Sequence, residues 1–157
     1  MLIREATKDD LVEVCLLTNQ INELHHTYEP CLFSKPRGAG YENDFWEDRI
    51  VSKDTVTLVA ELDNTIHGFL LATITALPVV PFLEKQQACR INTIVVSKEK
   101  QNTGIGKLLF SKIESWAKEQ GFKEIKLEVV EFNERAKQFY EKLGFRTQTR
   151  ILSKSIA

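Results

Sequence analysis

The stretch "VVSKEKQNTGIGKLLFSKIESWAKEQG", residues 95–121, leads from an apolar run through a short polar loop into a segment with helical periodicity. Gly104 and Gly106 lie where this helix would begin, and Gly121 lies where it would stop. The stretch therefore predicts a strand, a glycine loop and an amphipathic helix in succession. Its apolar face is predicted to comprise Ile105, Leu108, Leu109, Ile113, Trp116 and Ala117.

The two glycines indicate an anion site at the start of the helix. The first turn of a helix exposes backbone N–H groups that have no acceptor within the helix, and the peptide dipoles add partial positive charge there. A glycine has no Cβ, so a phosphate can approach its backbone closely. A glycine pair is also common in plain loops. A dinucleotide-binding fingerprint would need a third glycine at Leu109, and a P-loop would need four residues between its glycines.

The residues before this stretch predict two helices and four strands. "LIREA" is a strand, and Thr7 with Asp10 forms a capping pair for a helix that runs to about His25. Residues 28–41, with two prolines and two glycines, are a loop before the helix "ENDFWEDRIV". "TVTLVAEL" and "IHGFLLATITAL" form an antiparallel hairpin that turns at "DN". The loop "VVPFLEKQQ" precedes the strand "CRINTIVV".

The residues after Gly121 predict a strand, "EIKLEVV", a helix from about Asn133 that stops at Gly144, and a last strand, "FRTQTRIL". The order is βααβββαβαβ in one domain, residues 1–157. Because a helix joins "CRINTIVV" to "EIKLEVV", these two strands should be parallel. We expect an α+β fold, a mixed α/β class, with helices on both faces of a mixed, mostly antiparallel sheet of about six strands.

The composition excludes several classes of function. With 21 basic and 22 acidic side chains, the chain has no global field that would attract nucleic acid or an anionic membrane. No uncharged run approaches the roughly 18 apolar residues of a membrane span, and the N-terminus lacks a signal peptide. Cys15, Cys31 and Cys89 have no metal-site or disulfide spacing. We expect a cytoplasmic protein without a metal.

Two motifs in the correct order resemble the GNAT superfamily of acetyl-CoA-dependent N-acetyltransferases. The first is met by Gln101, Gly104 and Gly106. The second, Asn-x-x-Ala-x-x-Phe-Tyr-x-Lys-x-Gly-Phe, is met by Asn133, Ala136, Phe139, Tyr140, Lys142, Gly144 and Phe145. The predicted element order also agrees with the fold of this family, in which the sheet is splayed in the middle.

The resemblance implies acetyl-CoA as the cosubstrate. Its diphosphate would lie on a cradle that binds mainly through backbone N–H groups, formed by Gln101, Asn102, Thr103, Gly104, Ile105, Gly106 and Lys107. Its pantetheine arm would pair with the strand edge at Ile94, Val95 and Val96, which would also supply the N–H for the oxyanion. Asn133 would lie near the cofactor, although asparagine is equally a favoured helix N-cap.

The resemblance places Tyr140 as the general acid, and a tyrosine is protonated at pH 7. An aromatic at helical spacing is also a common packing residue. The general base is open. Many relatives carry a glutamate where this chain has Asn92, so the alternatives are Glu128, His25 or His26, a water relay and, more weakly, His67.

The sequence thus predicts direct acetyl transfer to a primary amine of a small molecule or a peptide. The acceptor would approach over the first two helices, where Tyr28, Phe33 and Phe45 line a pocket or the core, and Trp46 is assigned to the core. A non-catalytic acyl-CoA-binding or interaction module is the alternative, and a nucleotide-binding domain of another class is a weaker one. Many relatives dimerise, so a homodimer is a further expectation.

Overall fold

A computed structural model of the protein describes residues 1–38, 40–76, 87–154 and 156. The chain divides into two compact units, Met1–Leu127 and Glu128–Ala157. Among the residues just named, the first unit contains the sheet and three α-helices, and the second contains one α-helix.

The elements of the first unit follow the predicted order. They are β1 (Leu2–Glu5), α1 (Leu11–Tyr28), α2 (Asn43–Val51), β2 (Thr55–Leu62), β3 (Thr65–Ala76), β4 (Gln87–Val96), α3 (Ile105–Glu119) and β5 (Ile125–Leu127). Short 3₁₀ turns cover Lys8–Asp10 and Lys98–Lys100. The second unit contains α4 (Glu134–Lys142). Among the helices of the described residues, none has both the length and the apolar character needed to cross a membrane.

The sheet has the strand order β1-β2-β3-β4-β5. Its first three pairings are antiparallel, and β4 pairs with β5 in parallel. Asp63 and Asn64, at the β2–β3 turn, have φ angles of 52° and 57°, as a tight hairpin turn requires. The prediction of a mixed, mostly antiparallel sheet is confirmed.

Helices cover both faces of this sheet. On one face, α1 and α2 pack on the strands through a core cluster of Val14, Leu17, Trp46, Val59, Ile66, Phe69, Leu71 and Val95. Alternate residues of a strand point to opposite faces. Leu58, Ala60 and Leu70, also buried, therefore lie on the other face, which α3 covers.

Three local predictions were wrong. Residues 145–152 form no strand in the described structure, so the sheet has five strands and not six. The alternating pattern of "FRTQTRIL" supplies strand propensity, but a strand also needs a partner with which to form a ladder. "EIKLEVV" is a strand over only three residues. Leu108 is 47% exposed, because the buried stripe of α3 runs through Ile105, Leu109 and Ile113 instead. Residues 79–86 of the predicted loop "VVPFLEKQQ" lie outside the described residues.

A network of charged groups fixes the start of α1 on the sheet. The Arg4 guanidinium on β1 donates to both carboxylate oxygens of Asp10, at 2.7 and 2.8 Å, and to Glu61 on β2 at 2.6 Å. The Thr7 N–H donates to the same carboxylate at 2.8 Å, so the predicted capping pair is present. The side-chain hydrogen bonds from Arg4 are the main reason why the pKa of Asp10 lies below its ordinary value.

Candidate active site

The glycine loop has the backbone conformation of a helix entrance. Asn102 and Gly104 have left-handed φ angles of 65° and 91°. Gly104 is the N-cap of α3, and a Cβ added there would meet no atom within 4 Å. A glycine is therefore favoured at this position by its φ angle, and the space in front of it is open.

The first turn of α3 has backbone donors that the helix itself leaves without an acceptor. The Leu108 N–H donates to the Gly104 carbonyl at 3.1 Å. The N–H groups of Ile105, Gly106 and Lys107 precede that bond and have no acceptor within the helix. Ile105 is only 3% exposed, so its side chain anchors the turn in the core, whereas Asn102, Thr103 and Lys107 are exposed. This arrangement fits a diphosphate bound by backbone N–H groups.

The side chains of the loop hold its own backbone. Gln101 Nε2 donates to the Val96 carbonyl at 3.2 Å, and the Thr103 hydroxyl donates to the Lys100 carbonyl at 2.6 Å. Both side chains, predicted to lie in the cradle, thus join it to the end of β4 and to the 3₁₀ turn. Their observed role is to fix the loop.

Two residues that the sequence did not single out also position this region. Gln20 holds the loop, and Gly68 sets how closely α3 approaches the sheet. Gln20 on α1 donates to the Val96 carbonyl at 3.1 Å and accepts from the Lys98 N–H at 2.9 Å. Gly68 on β3 allows α3 to approach the sheet, because a Cβ there would lie 2.8 Å from the Val95 carbonyl oxygen and 3.2 Å from Ile105. Neither residue belongs to a local motif, so no sequence signal marked them.

The loop region is rich in cations. Lys98, Lys100 and Lys107 lie within ten residues of one another in the chain, with Glu99 between the first two. In the part of the chain that the structure describes, none of these lysines is in an ion pair. The buried hydroxyl of Ser97, at the end of β4, has no hydrogen-bond partner there. Both features are compatible with a polyanionic ligand.

The end of β4 exposes an edge with a defined polarity. The Ser97 N–H donates to the His67 carbonyl at 2.8 Å. In an antiparallel ladder the residues that bond to the partner alternate, so Val95 also points its backbone groups toward β3. Ile94 and Val96 point theirs to the opposite edge. At that edge the ladder with β5 ends at Ile91. This end of the ladder is what a sheet whose two central strands separate beyond Ile91 requires. Of the three predicted residues, only Ile94 and Val96 present backbone groups at this edge.

Asn92 lies at an irregularity of β4. Leu71 pairs with Thr93 and Ala72 pairs with Ile91, so Asn92 is an extra residue without a partner on β3. Its Oδ1 accepts from the Thr73 hydroxyl at 2.9 Å. An amide held in this way cannot serve as a proton acceptor in place of a carboxylate.

A cleft of about 170 Å³ lies between α1 and the loop that leads to α2, and its lining residues are Asn22, Phe33, Ser34, Lys35, Pro36, Arg37, Tyr41 and Glu42. The Glu42 carboxylate accepts from Asn22 at 2.9 Å and from the Trp46 indole at 3.0 Å. Trp46 is buried, as predicted, and Phe33 lines the cleft, whereas Tyr28 and Phe45 are exposed.

Two histidines at the end of α1 contact the loop beside this cleft. The His25 ring lies 4.6 Å from that of Phe33, and burial lowers the pKa of His25 below its ordinary value. His26 Nδ1 lies 2.8 Å from the Phe33 carbonyl. A carbonyl only accepts, so Nδ1 carries the proton and Nε2 is the acceptor in neutral His26. His67 is on β3, with its carbonyl bonded to Ser97.

In the second unit, Tyr140 is buried on α4. Its ring packs edge-on against Phe139 at 5.3 Å and Phe145 at 5.6 Å. Burial raises the pKa of Tyr140 to about 12. Asn133 is the N-cap of α4, and its Oδ1 accepts from the Ala136 N–H at 3.1 Å. Glu128 is exposed in the same unit.

Cys15 and Cys89 lie in surroundings that disfavour the thiolate. Burial raises the pKa of Cys89 to about 11 and also raises that of Cys15. A thiol with a raised pKa is a poor nucleophile at neutral pH. The described residues contain no group of His, Cys, Asp and Glu side chains that could hold a metal ion.

A family model described as the acetyltransferase (GNAT) family matches residues 19–145. The chain belongs to this family. The match spans most of the chain. It includes both motifs, of which one lies in the glycine loop and the other covers the helix that carries Tyr140. As a GNAT protein, it is an acetyl-CoA-dependent acetyltransferase.

Solved structures share the fold of this GNAT protein. The tetramutant of the BH1408 protein from Bacillus halodurans is 28% identical over 99% of this chain and 100% of that chain, with a TM-score of 0.93. The aminoglycoside 6'-N-acetyltransferase AAC(6')-IG from Acinetobacter haemolyticus is 20% identical over 100% and 99%, with a TM-score of 0.77. AAC(6')-Iy in complex with the bisubstrate analog CoA-S-monomethyl-acetylneamine is 17% identical over 99% and 97%, with a TM-score of 0.77. A comparison with curated protein sequences gives no match.

Proposed function

We propose that this protein transfers the acetyl group of acetyl-CoA directly to a primary amine of a small molecule or a peptide. The observation that carries the proposal is the entrance of α3. There the left-handed Gly104, with open space in front of it, opens a helix whose first N–H groups have no acceptor within the helix, and one loop joins this helix to the end of β4. A diphosphate and an amide-bearing arm need these two features side by side.

In the proposed complex, residues 101–107 hold the diphosphate mainly through backbone N–H groups, with Lys107 as a nearby cation. Ile94 and Val96 pair with the amides of the pantetheine arm. Acetyl-CoA supplies the acetyl group as an activated thioester. A backbone N–H of the β4 edge is then in position to donate to the carbonyl oxygen as negative charge develops on it.

Tyr140 is the proposed general acid. Because its pKa of about 12 lies far above neutral pH, the phenol keeps its proton until the C–S bond breaks. The proton then passes to the thiolate sulfur. Its ring also packs against Phe139 and Phe145, so packing fixes the direction of the hydroxyl. Asn133 is proposed to lie near the cofactor in addition to its capping role.

The acceptor amine must lose a proton, and the chain offers several groups for this step. His25, with its lowered pKa, and His26, whose Nδ1 lies on the Phe33 carbonyl and leaves Nε2 as the acceptor, are candidate bases near the cleft. Glu128 and a water relay are the alternatives, and His67 is the weakest. The Glu42 carboxylate gives the cleft a polar anchor that suits an ammonium group.

The structure of AAC(6')-Iy with CoA-S-monomethyl-acetylneamine supports a small-molecule amine as acceptor, by likeness of fold. A non-catalytic acyl-CoA-binding module is the second candidate, and Asn92 favours it because this residue takes the place of a carboxylate base. A panel of polyamines, amino acids, aminoglycosides and peptides separates the two. Thiol release that depends on an acceptor supports the enzyme, and its absence throughout the panel supports the module.

Calorimetric titration with acetyl-CoA tests the cradle, with ATP and NAD as controls. In Gly106→Glu, side-chain bulk and negative charge enter the first turn of α3, so we expect binding to be lost while the circular dichroism spectrum is retained. Lys112→Glu makes a change in charge on an exposed position further along the helix and is the control. Unchanged affinity in folded Gly106→Glu would remove the cradle assignment. Tighter binding of ATP or NAD would favour a nucleotide-binding domain.

A further inference from the structure

The side chain of Gln20 bridges two backbone groups at the point where β4 leads into the glycine loop. Its Nε2 donates to the Val96 carbonyl at 3.1 Å, and its Oε1 accepts from the Lys98 N–H at 2.9 Å. The three residues belong to the same compact unit. One amide thus fixes both the last residue of the strand and the first residue of the 3₁₀ turn.

The Val96 carbonyl accepts a second hydrogen bond, from Gln101 Nε2 at 3.2 Å. A carbonyl oxygen has two lone pairs, so this acceptor is saturated by the two glutamines. The carbonyl points to the open edge of β4, the edge assigned above to the pantetheine arm. An extended ligand at this edge would therefore pair with Ile94 and with the Val96 N–H, and its pairing would end there.

We propose that Gln20 is a positioning residue for the acetyl-CoA site, an inference that rests on the proposed function. It holds the β4 edge and the glycine loop at a fixed distance from each other. The pantetheine arm of one acetyl-CoA molecule can then contact the edge while its diphosphate contacts the loop. Without this bridge, the turn through Lys98 has to be ordered when the ligand binds, and that ordering lowers affinity.

The bridge should affect binding more than folding. Its bond to Lys98 lies at the exposed surface and its bond to Val96 is only partly buried. Water can replace an exposed hydrogen bond at little cost to stability, whereas the spacing of the two ligand contacts has no such substitute.

The first experiment compares Gln20→Ala with Asn19→Ala. Asn19 precedes Gln20 on α1 and is similarly half-buried, and its side chain makes no hydrogen bond with a described residue. We expect Gln20→Ala to raise the Kd for acetyl-CoA roughly three- to tenfold, the range for loss of about one ordinary hydrogen bond. Both variants should have similar melting temperatures. Equal Kd values for the two variants would overturn the proposal.

Gln20→Glu gives a readout that a purely structural role would not produce. An ionised carboxylate can still accept from the Lys98 N–H, but it cannot donate to the Val96 carbonyl; a protonated one can do both. The ratio of the variant's Kd to the wild-type Kd should therefore be closer to one at pH 4, where most of a glutamic acid of ordinary pKa is protonated, than at pH 8. A ratio that does not change with pH would contradict the proposed bridge. This variant also keeps one of the two bonds if Gln20→Ala does not fold.

The wild-type titration separates this inference from the proposed function. If the folded wild-type protein does not bind acetyl-CoA, both proposals fail. If it binds, and Gln20→Ala and Gln20→Glu bind equally well at both pH values, the cradle stands and only the role of Gln20 is overturned.

Discussion

Tyr140 has an observed packing role and a proposed chemical one. From the sequence, an aromatic at helical spacing beside Phe139 fits a core residue as well as it fits a general acid. The structure places the ring in an aromatic cluster and raises the pKa of its hydroxyl to about 12. The same burial that packs the ring keeps the proton on the oxygen at neutral pH. A raised pKa also makes the phenol a weaker acid, so a hydroxyl that keeps its proton readily gives it up less readily.

Replacement of Tyr140 by phenylalanine should separate the two roles. Phenylalanine keeps the ring contacts, so the melting temperature and the Kd for acetyl-CoA should stay close to those of the wild type. Loss of the proton donor should lower kcat roughly ten- to hundredfold, at the low end for general acid catalysis because a thiol leaves readily. Single-turnover kinetics with an acceptor from the amine panel measures this change. Wild-type turnover under conditions where chemistry limits the rate would remove the general-acid role.

At the scale of the elements, local signals predicted the helix and the loop that carry the candidate site, but they did not predict the long-range contacts that hold this loop. The helix α3, its start at Gly104 and the glycine loop follow from spacing and backbone preference within about twenty residues. Gln20 contacts Val96 across 76 residues of sequence, and no local pattern indicates such a contact. The prediction of a sixth strand was wrong for a related reason, since a strand depends on a partner elsewhere in the chain. The prediction that Leu108 lies on the buried face of α3 was wrong because neighbouring positions on a helix differ by about 100° in direction.

Gly68 should be essential to the packing of α3 on β3. A Cβ at this position would lie 2.8 Å from the Val95 carbonyl oxygen, and a backbone atom cannot easily move away. Gly68→Ala should therefore lower the free energy of unfolding by about 1–3 kcal/mol, as overpacking does. It should also weaken acetyl-CoA binding, because Ile105 in the first turn of α3 lies next to the added methyl group.

Gly104→Asn is the matched control for Gly68→Ala. Its site has no atom within 4 Å of an added Cβ, and asparagine tolerates a left-handed φ angle, as Asn102 does in the same loop. Urea unfolding should give a smaller loss of stability for Gly104→Asn than for Gly68→Ala. The reverse order would mean that the backbone conformation of the loop, and not the close approach at Gly68, limits stability.

At the scale of the whole molecule, the chain is nearly neutral, with 21 basic and 22 acidic side chains. Its response to acid should therefore depend on particular carboxylates more than on net charge. Asp10 is the clearest of these, because it is 6% exposed and joins β1, through Arg4, to the start of α1. The sequence predicted Asp10 as a capping residue but not its pairing with Arg4, which depends on how β1 enters the sheet.

The lowered pKa of Asp10 predicts a specific loss of stability in acid. A carboxyl whose pKa is lower in the folded state than in the unfolded state stabilises the fold above its unfolded pKa, near 3.8. That contribution is lost as the pH falls below about 4 toward the folded pKa. In Asp10→Asn, the free energy of unfolding at pH 7 should be lower by about 1–3 kcal/mol, the range for hydrogen bonds to charged groups. It should also fall less steeply than that of the wild type between pH 4 and pH 2.5.

Urea unfolding at pH 7 and between pH 4 and pH 2.5 measures both effects. The control is Asp9→Asn, which changes an exposed carboxylate of the same turn. Parallel curves for Asp10→Asn and the wild type would show that the Arg4–Asp10 pair contributes nothing to the acid dependence.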